Sequence, residues 1–228
     1  MRERDILTDI KKANLIIRSL SVTLDHEPHF EVIFREIYKT LKNWSVWIQY
    51  DWVRESECFL TMELELIKIH KRRLNADPVY KNQTFRSLRR KKRIIRDAEH
   101  LQNKQELSKK SYGLALLSKR WRESEKLFKP IEYRLWCEYL SAIKPSQQFL
   151  HKHYDQVEEI RYRSAQLRYE LLQESKTVQR SLSEAEAQTA VRQLMKKWKK
   201  IPSVDPYQEQ RFWRWTETSI GYLFRKSG

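Results

Sequence analysis

The chain has 228 residues, with 46 Lys and Arg against 30 Asp and Glu, a formal charge of +16 and three glycines. So few glycines leave little room for the positive-φ turns of a many-stranded sheet, and the expectation is an all-α fold. Two cysteines make neither a disulfide framework nor a thiolate metal cluster, and no stretch reaches the roughly 20 apolar residues of a membrane span.

The first stretch, "MRERDILTDIKKANLIIRS", mixes charge through its apolar positions and does not read as a secretory signal. The expected setting is cytoplasmic. Residues 1–85 are almost neutral, with 14 Lys and Arg against 13 Asp and Glu. Ile37, Leu41 and Trp44 make a helical stripe, and Phe59 follows on a further helix. The run "NADPVY" then predicts a break at Pro78. His26 and His29 are spaced for one helical turn, but no Cys or nearby carboxylate set completes a metal site, so no metal or other cofactor is expected.

Residues 86–228 hold 32 Lys and Arg against 17 Asp and Glu, which predicts an acidic partner. The sharpest feature is "RSLRRKKRIIR", with seven basic residues and no acid: Arg86, Arg89, Arg90, Lys91, Lys92, Arg93 and Arg96. On a helix this run covers about 15 Å, with Leu88, Ile95 and Ala98 on another side to anchor it. Like charges so close repel one another, which favours a phosphate-bearing partner over a merely solvated helix.

Next, Leu114, Leu117 and Trp121 form a stripe at i, i+3, i+7, with Lys119, Arg120 and Arg122 around the ring. After "ESEKLFKP" a second helix carries Trp136, and "IKPSQQ" predicts a break at Pro145 before a long polar helix over roughly 148–176. "SLSEAEAQ" offers capping boxes from Ser181 with Glu184 or Ser183 with Glu186. Val191, Leu194 and Trp198 repeat the stripe, with Lys196, Lys197, Lys199 and Lys200 beside the ring, and Trp213 follows the break "KIPSVDP".

These elements recur. Trp44, Trp121 and Trp198 are each 77 residues apart, and Phe59, Trp136 and Trp213 lie fifteen residues beyond each. The reading is a tandem array of three-helix units with long connecting helices: a divergent copy over 1–85, a second over 86–170 with a basic entry helix, and a truncated third over 171–228. The two aromatic columns are expected in the unit cores. Trp215 has Glu138 as its counterpart, so the repeat does not explain it, and it is expected either to cap the array or to face a partner.

The segments "LALLSKRWRESEKLFKPIEYRLWCEYLSAI" and "VRQLMKKWKKIPSVDPYQEQRFWRWTE" resemble the bacterial domain-of-unknown-function family 349. The resemblance covers residues 86–228 best and 1–85 weakly. It implies tandem helical units and carries no reaction or ligand.

No Gly-rich phosphate loop, catalytic triad signature or distinctive carboxylate pair occurs, so no catalytic residue is expected and the protein is not read as an enzyme. The functional expectation is a non-catalytic basic repeat protein that contacts nucleic-acid phosphates. RNA or a ribonucleoprotein such as the ribosome is preferred over sequence-specific DNA. The basic residues of 86–96 and those around Trp121 and Trp198 would make the contacts. The alternative is a scaffold that docks an acidic protein. Oligomeric state is not readable from the sequence.

Overall fold

A computed structural model describes residues 3–26, 29–178, 184–203 and 205–225. All regular structure among them is helical, and no backbone φ there is positive. The chain divides into two compact units. The first extends to Arg90 and includes Glu125–Trp136; the second comprises Lys91–Ser124 and the described residues from Cys137 onward.

In the first unit, α1 (Glu3–His26) lies beside α2 (Phe30–Thr40) and α5 (Glu57–Ala76). Asn14 Nδ2 donates to Cys58 Sγ at 3.4 Å and Ser21 Oγ to Glu65 at 3.0 Å. Both pairs are 44 residues apart, so α1 and α5 run side by side in the same direction. A 3-10 turn (Leu41–Asn43) and two one-turn helices, α3 (Trp44–Trp47) and α4 (Asp51–Arg54), carry the chain back to the start of α5. Ser56 caps α5 by accepting from the Phe59 amide at 3.3 Å.

The core of this unit joins Ile6, Ile10 and Ile17 of α1 with Ile33, Phe34 and Ile37 of α2 and Met62, Leu66 and Ile69 of α5. Trp44 and Phe59 meet there, with ring centres 4.9 Å apart. Phe128 completes the core, stacked on His70 at 4.9 Å. Polar ties hold the Phe128 segment in place: Lys129 Nζ donates to the Leu41 carbonyl, Arg54 to the Tyr133 hydroxyl at 2.9 Å, and Arg134 pairs with Glu63 at 3.1 Å.

The dipeptide Asp-Pro starts two helices. Asp77 accepts from the Tyr80 amide at 2.9 Å at the head of α6 (Pro78–Gln102), and Asp205 accepts from the Tyr207 amide at 2.8 Å at the head of α11 (Pro206–Arg225). Proline suits the first helical turn because its missing donor would have no intrahelical partner there. The expected break at Pro78 is thus a helix start.

The second unit is built around α9 (Tyr154–Val178), which packs on α7 (Leu107–Glu123), α10 (Glu184–Lys200) and α11. Leu171, Leu194 and Trp198 are buried together, with Ile201, Phe212 and Trp213 against them. From α6, the side chains of Ile94, Ile95, Ala98 and Leu101 are buried. Gly113 of α7 lies close to Leu101: a Cβ there would sit 2.6 Å from its Cδ1, so only glycine permits this approach without displacement.

Two expectations need correction. Helix α8 (Lys129–Lys152) continues through Pro145 rather than ending at it. Ala142, Ile143 and Ser146 beside it are buried, so packing offsets the one lost backbone bond. The break falls instead at His153, where α9 begins. Trp136 is 38% exposed and not a core ring. Three residues later Tyr139 is the buried aromatic, stacked on Trp121 with ring centres 4.7 Å apart. The caps expected from Ser181 and Ser183 lie outside the described residues.

Candidate nucleic-acid interface

The basic run falls wholly within α6. Ser87, Lys91, Ile94, Ile95, Ala98 and Leu101 are its buried residues, and the alternation leaves Arg86, Arg89, Arg90, Lys92, Arg93 and Arg96 exposed. Among the described residues none of these six has a carboxylate partner, whereas Arg54, Arg120, Arg134, Arg161 and Arg163 each pair with one. Along the helix the six span about 15 Å, a row of strong donors suited to successive phosphate oxygens.

Lys91 requires a correction. It is 1% exposed, its ammonium donates to Ser124 Oγ at 2.7 Å and it lies 4.3 Å from the centre of the Trp121 ring. Ser124 in turn donates to the Trp121 carbonyl at 2.6 Å at the end of α7. A buried ammonium held in this way is a structural group, out of reach of a phosphate.

The cations around Trp121 are committed in different degrees. Arg120 pairs with Asp97 of α6 at 2.7 Å. Lys119 donates to Gln210 at 3.3 Å and lies 3.9 Å from Glu123. Arg122 is exposed and donates from Nη2 to the Tyr207 hydroxyl at 2.6 Å. At the end of α10, Lys196, Lys197, Lys199 and Lys200 are all exposed, and Lys197 pairs with Glu174 at 2.5 Å. Lys197, Lys199 and Lys200 sit in the last turn, where their charge also complements the helix dipole.

The tryptophans divide. Trp121 and Trp198 are buried, and Trp213 is half-buried with its ring edge-on to Trp198 at 5.7 Å. Trp215 is 42% exposed, beneath the Arg211 guanidinium at 4.7 Å and edge-on to Phe212.

Sequence reasoning missed Arg168. It is 1% exposed, lies 5.3 Å from the Trp198 ring centre, and donates to the Pro202 carbonyl at 3.2 Å and Ser203 Oγ at 3.0 Å. Burial pushes its pKa down from the ordinary value, opposed by Glu209 and Tyr112. The signal was available: Arg168 stands 77 residues after Lys91, as Trp198 does after Trp121. Tyr207, which the sequence places near Trp215 in a terminal aromatic patch, precedes Arg211 and Trp215 at intervals of four.

Among the described residues no three His, Cys, Asp or Glu side chains gather as a metal site, and no helix is long and apolar enough to cross a membrane. Both cysteines are half-buried thiols.

Residues 134–206 match a family model described as Domain of Unknown Function (DUF349). The matched segment begins two residues before Trp136 and runs through Arg168 and Trp198 to the start of α11, a narrower stretch than the 86–228 of the sequence resemblance. No match was found among curated proteins or among solved structures.

Proposed function

We infer that the protein is a non-catalytic helical-repeat protein of the cytoplasm that binds RNA, alone or within a ribonucleoprotein such as the ribosome, through phosphate contacts. The observation that carries this reading is the row of six exposed, carboxylate-free cations on α6. Like charges at this spacing destabilise a helix by a few tenths of a kcal/mol per pair, and a polyanion turns that repulsion into attraction. Arg122, Lys196, Lys199 and Lys200 add exposed charge to the second unit. A row of cations on one helix, with no helix-turn-helix signal or Gly-rich recognition turn in the sequence, favours recognition of shape and phosphate.

The repeat belongs to the same reading, as three copies over 1–85, 86–170 and 171–228. Burial at intervals of 77 residues supports it. Asn14, Lys91 and Arg168 are buried polar groups; Ile17, Ile94 and Leu171 are buried; so are Ser21, Ala98 and Ser175, the three tryptophans, and Met62, Tyr139 and Thr216. In the second and third copies a tryptophan from one helix and a cation from the helix before it meet in the core.

A second reading, an adaptor for an acidic protein, is favoured by exposed leucines within the near-neutral residues 1–85, Leu15 on α1 and Leu64 on α5. Titration of a structured RNA into the wild type and into a variant with Arg89, Arg90, Lys92 and Arg93 changed to Gln separates the two. The RNA reading expects most affinity to vanish with helix content unchanged. Equal RNA affinity in both proteins would leave the adaptor reading.

A further inference from the structure

A second group of basic residues lies where the end of α7 meets α11. Tyr207, Arg211 and Trp215 follow one another at intervals of four, so they share one side of α11. Trp213 turns the other way, against Leu171, Leu194 and Trp198, and Phe212 lies between, partly packed on that cluster and edge-on to Trp215. Tyr207 is 45% exposed and Trp215 42%, so core packing does not use either ring fully. Cations attend both. Arg211 lies over Trp215, while Lys119 and Arg122 lie 5.4 and 5.7 Å from the centre of the Tyr207 ring.

Two large rings left partly in water forgo the stabilisation that burial brings. The partner that recovers it must offer flat faces to the rings and negative charge to the cations between them. An unpaired nucleobase on a phosphodiester backbone offers both. A duplex does not, because its base faces are hidden in its own stack. An acidic protein surface would engage Lys119, Arg122 and Arg211, but it supplies a flat ring beside a charge only where an aromatic side chain happens to fall, whereas a single strand supplies a base with every phosphate.

We propose that the Tyr207–Trp215 side of α11, with Arg211, Lys119 and Arg122, is a stacking site for unpaired bases of single-stranded RNA, which rests on the RNA function above and extends it from backbone to base contact. Eight residues of helix separate the rings by about 12 Å. Stacked nucleotides advance about 3.4 Å each, so the rings take bases that are not neighbours, and Arg211 meets the phosphates between them.

The test is fluorescence anisotropy of the full chain with a labelled unstructured oligouridine and with a duplex RNA of equal length. The variants are Tyr207→Leu with Trp215→Leu, and the conservative pair Tyr207→Phe with Trp215→Phe, each checked for unchanged helix content. The Leu pair should weaken single-strand binding by roughly tenfold or more and leave duplex binding and the salt slope unchanged; the Phe pair should keep most of the affinity. Unchanged single-strand affinity in the Leu pair, or equal loss on both RNAs, overturns the stacking site. The α6 Gln variant, run in parallel, then shows whether phosphate binding still stands. If the wild type binds neither RNA, both readings fall.

Discussion

The guanidinium of Arg168 lies 5.3 Å from the centre of the Trp198 ring, joining α9 to α10 inside the second unit. Its Nη2 also holds the break after α10 through Pro202 and Ser203, with Glu209 at 3.7 Å. Lys91 and Trp121 make the related pair, with Ser124 in the break after α7. In both places a cation from one helix fixes a tryptophan near the end of another and ties down the turn that follows.

Removal of the Arg168 side chain should therefore be costly. Arg168→Met leaves the Pro202 carbonyl and Ser203 without their donor, and a loss of roughly 1–3 kcal/mol is expected. Arg163→Met breaks only an exposed pair with Glu159 and should cost less than about 1 kcal/mol. Urea denaturation followed by far-ultraviolet circular dichroism compares them; equal losses would show that Arg168 is not a structural cation.

Buried Lys91 and exposed Lys92 give opposite expectations although they are neighbours. Lys91→Gln should lower stability by roughly 1–3 kcal/mol because Ser124 and the Trp121 face lose their partner, and the RNA affinity of the folded protein should not change. Lys92→Gln should lower RNA affinity and leave the unfolding midpoint in place. Parallel unfolding and RNA titrations of the two variants read this directly.

Much of this arrangement is legible in the sequence, and the limits have physical causes. The stripes ending at Trp121 and Trp198 and the breaks that follow them depend on local periodicity, and their burial follows. The burial of Lys91 was not legible, because a run of seven cations reads as uniformly solvated until the helix face is fixed by Ile94, Ile95 and Ala98. Trp136 was placed in the core by counting residues from Trp121, but the stack is taken by Tyr139, one turn further on. Pro145 was read as a stop because proline lacks a donor; packing of Ala142, Ile143 and Ser146 outweighs one backbone bond. Arg168 was missed because a single Arg on a polar helix reads as solvated until the Trp198 ring and the break after α10 close over it.

His70 gives the first unit a pH dependence. It is buried against Phe128 and Tyr80, and desolvation, with a further push from Arg73, lowers its pKa to about 4. In the folded chain it stays neutral as pH falls, while in the unfolded chain it takes up a proton near its ordinary value of 6.5. Stability is thus full above about 6.5, falls as pH drops toward 4, and loses nothing more from this group below that. At about 1.4 kcal/mol per pH unit the loss between pH 6.5 and 5 is roughly 2 kcal/mol. His70→Phe keeps the ring and removes the proton site, so its urea midpoint should be nearly flat over that interval. A wild-type slope retained in His70→Phe would assign the dependence to other groups.

On the proposed function, the exposed cations of α6 bind RNA phosphates. The most direct test is the salt dependence of affinity for a structured RNA, measured for the wild type and for the variant with Arg89, Arg90, Lys92 and Arg93 changed to Gln. Each phosphate contact contributes about 0.7–0.9 to the log–log slope, so the wild type should show a slope of several units and the variant one shallower by about 3. Identical slopes in the two proteins, or a wild-type affinity that does not change with salt, would contradict the account.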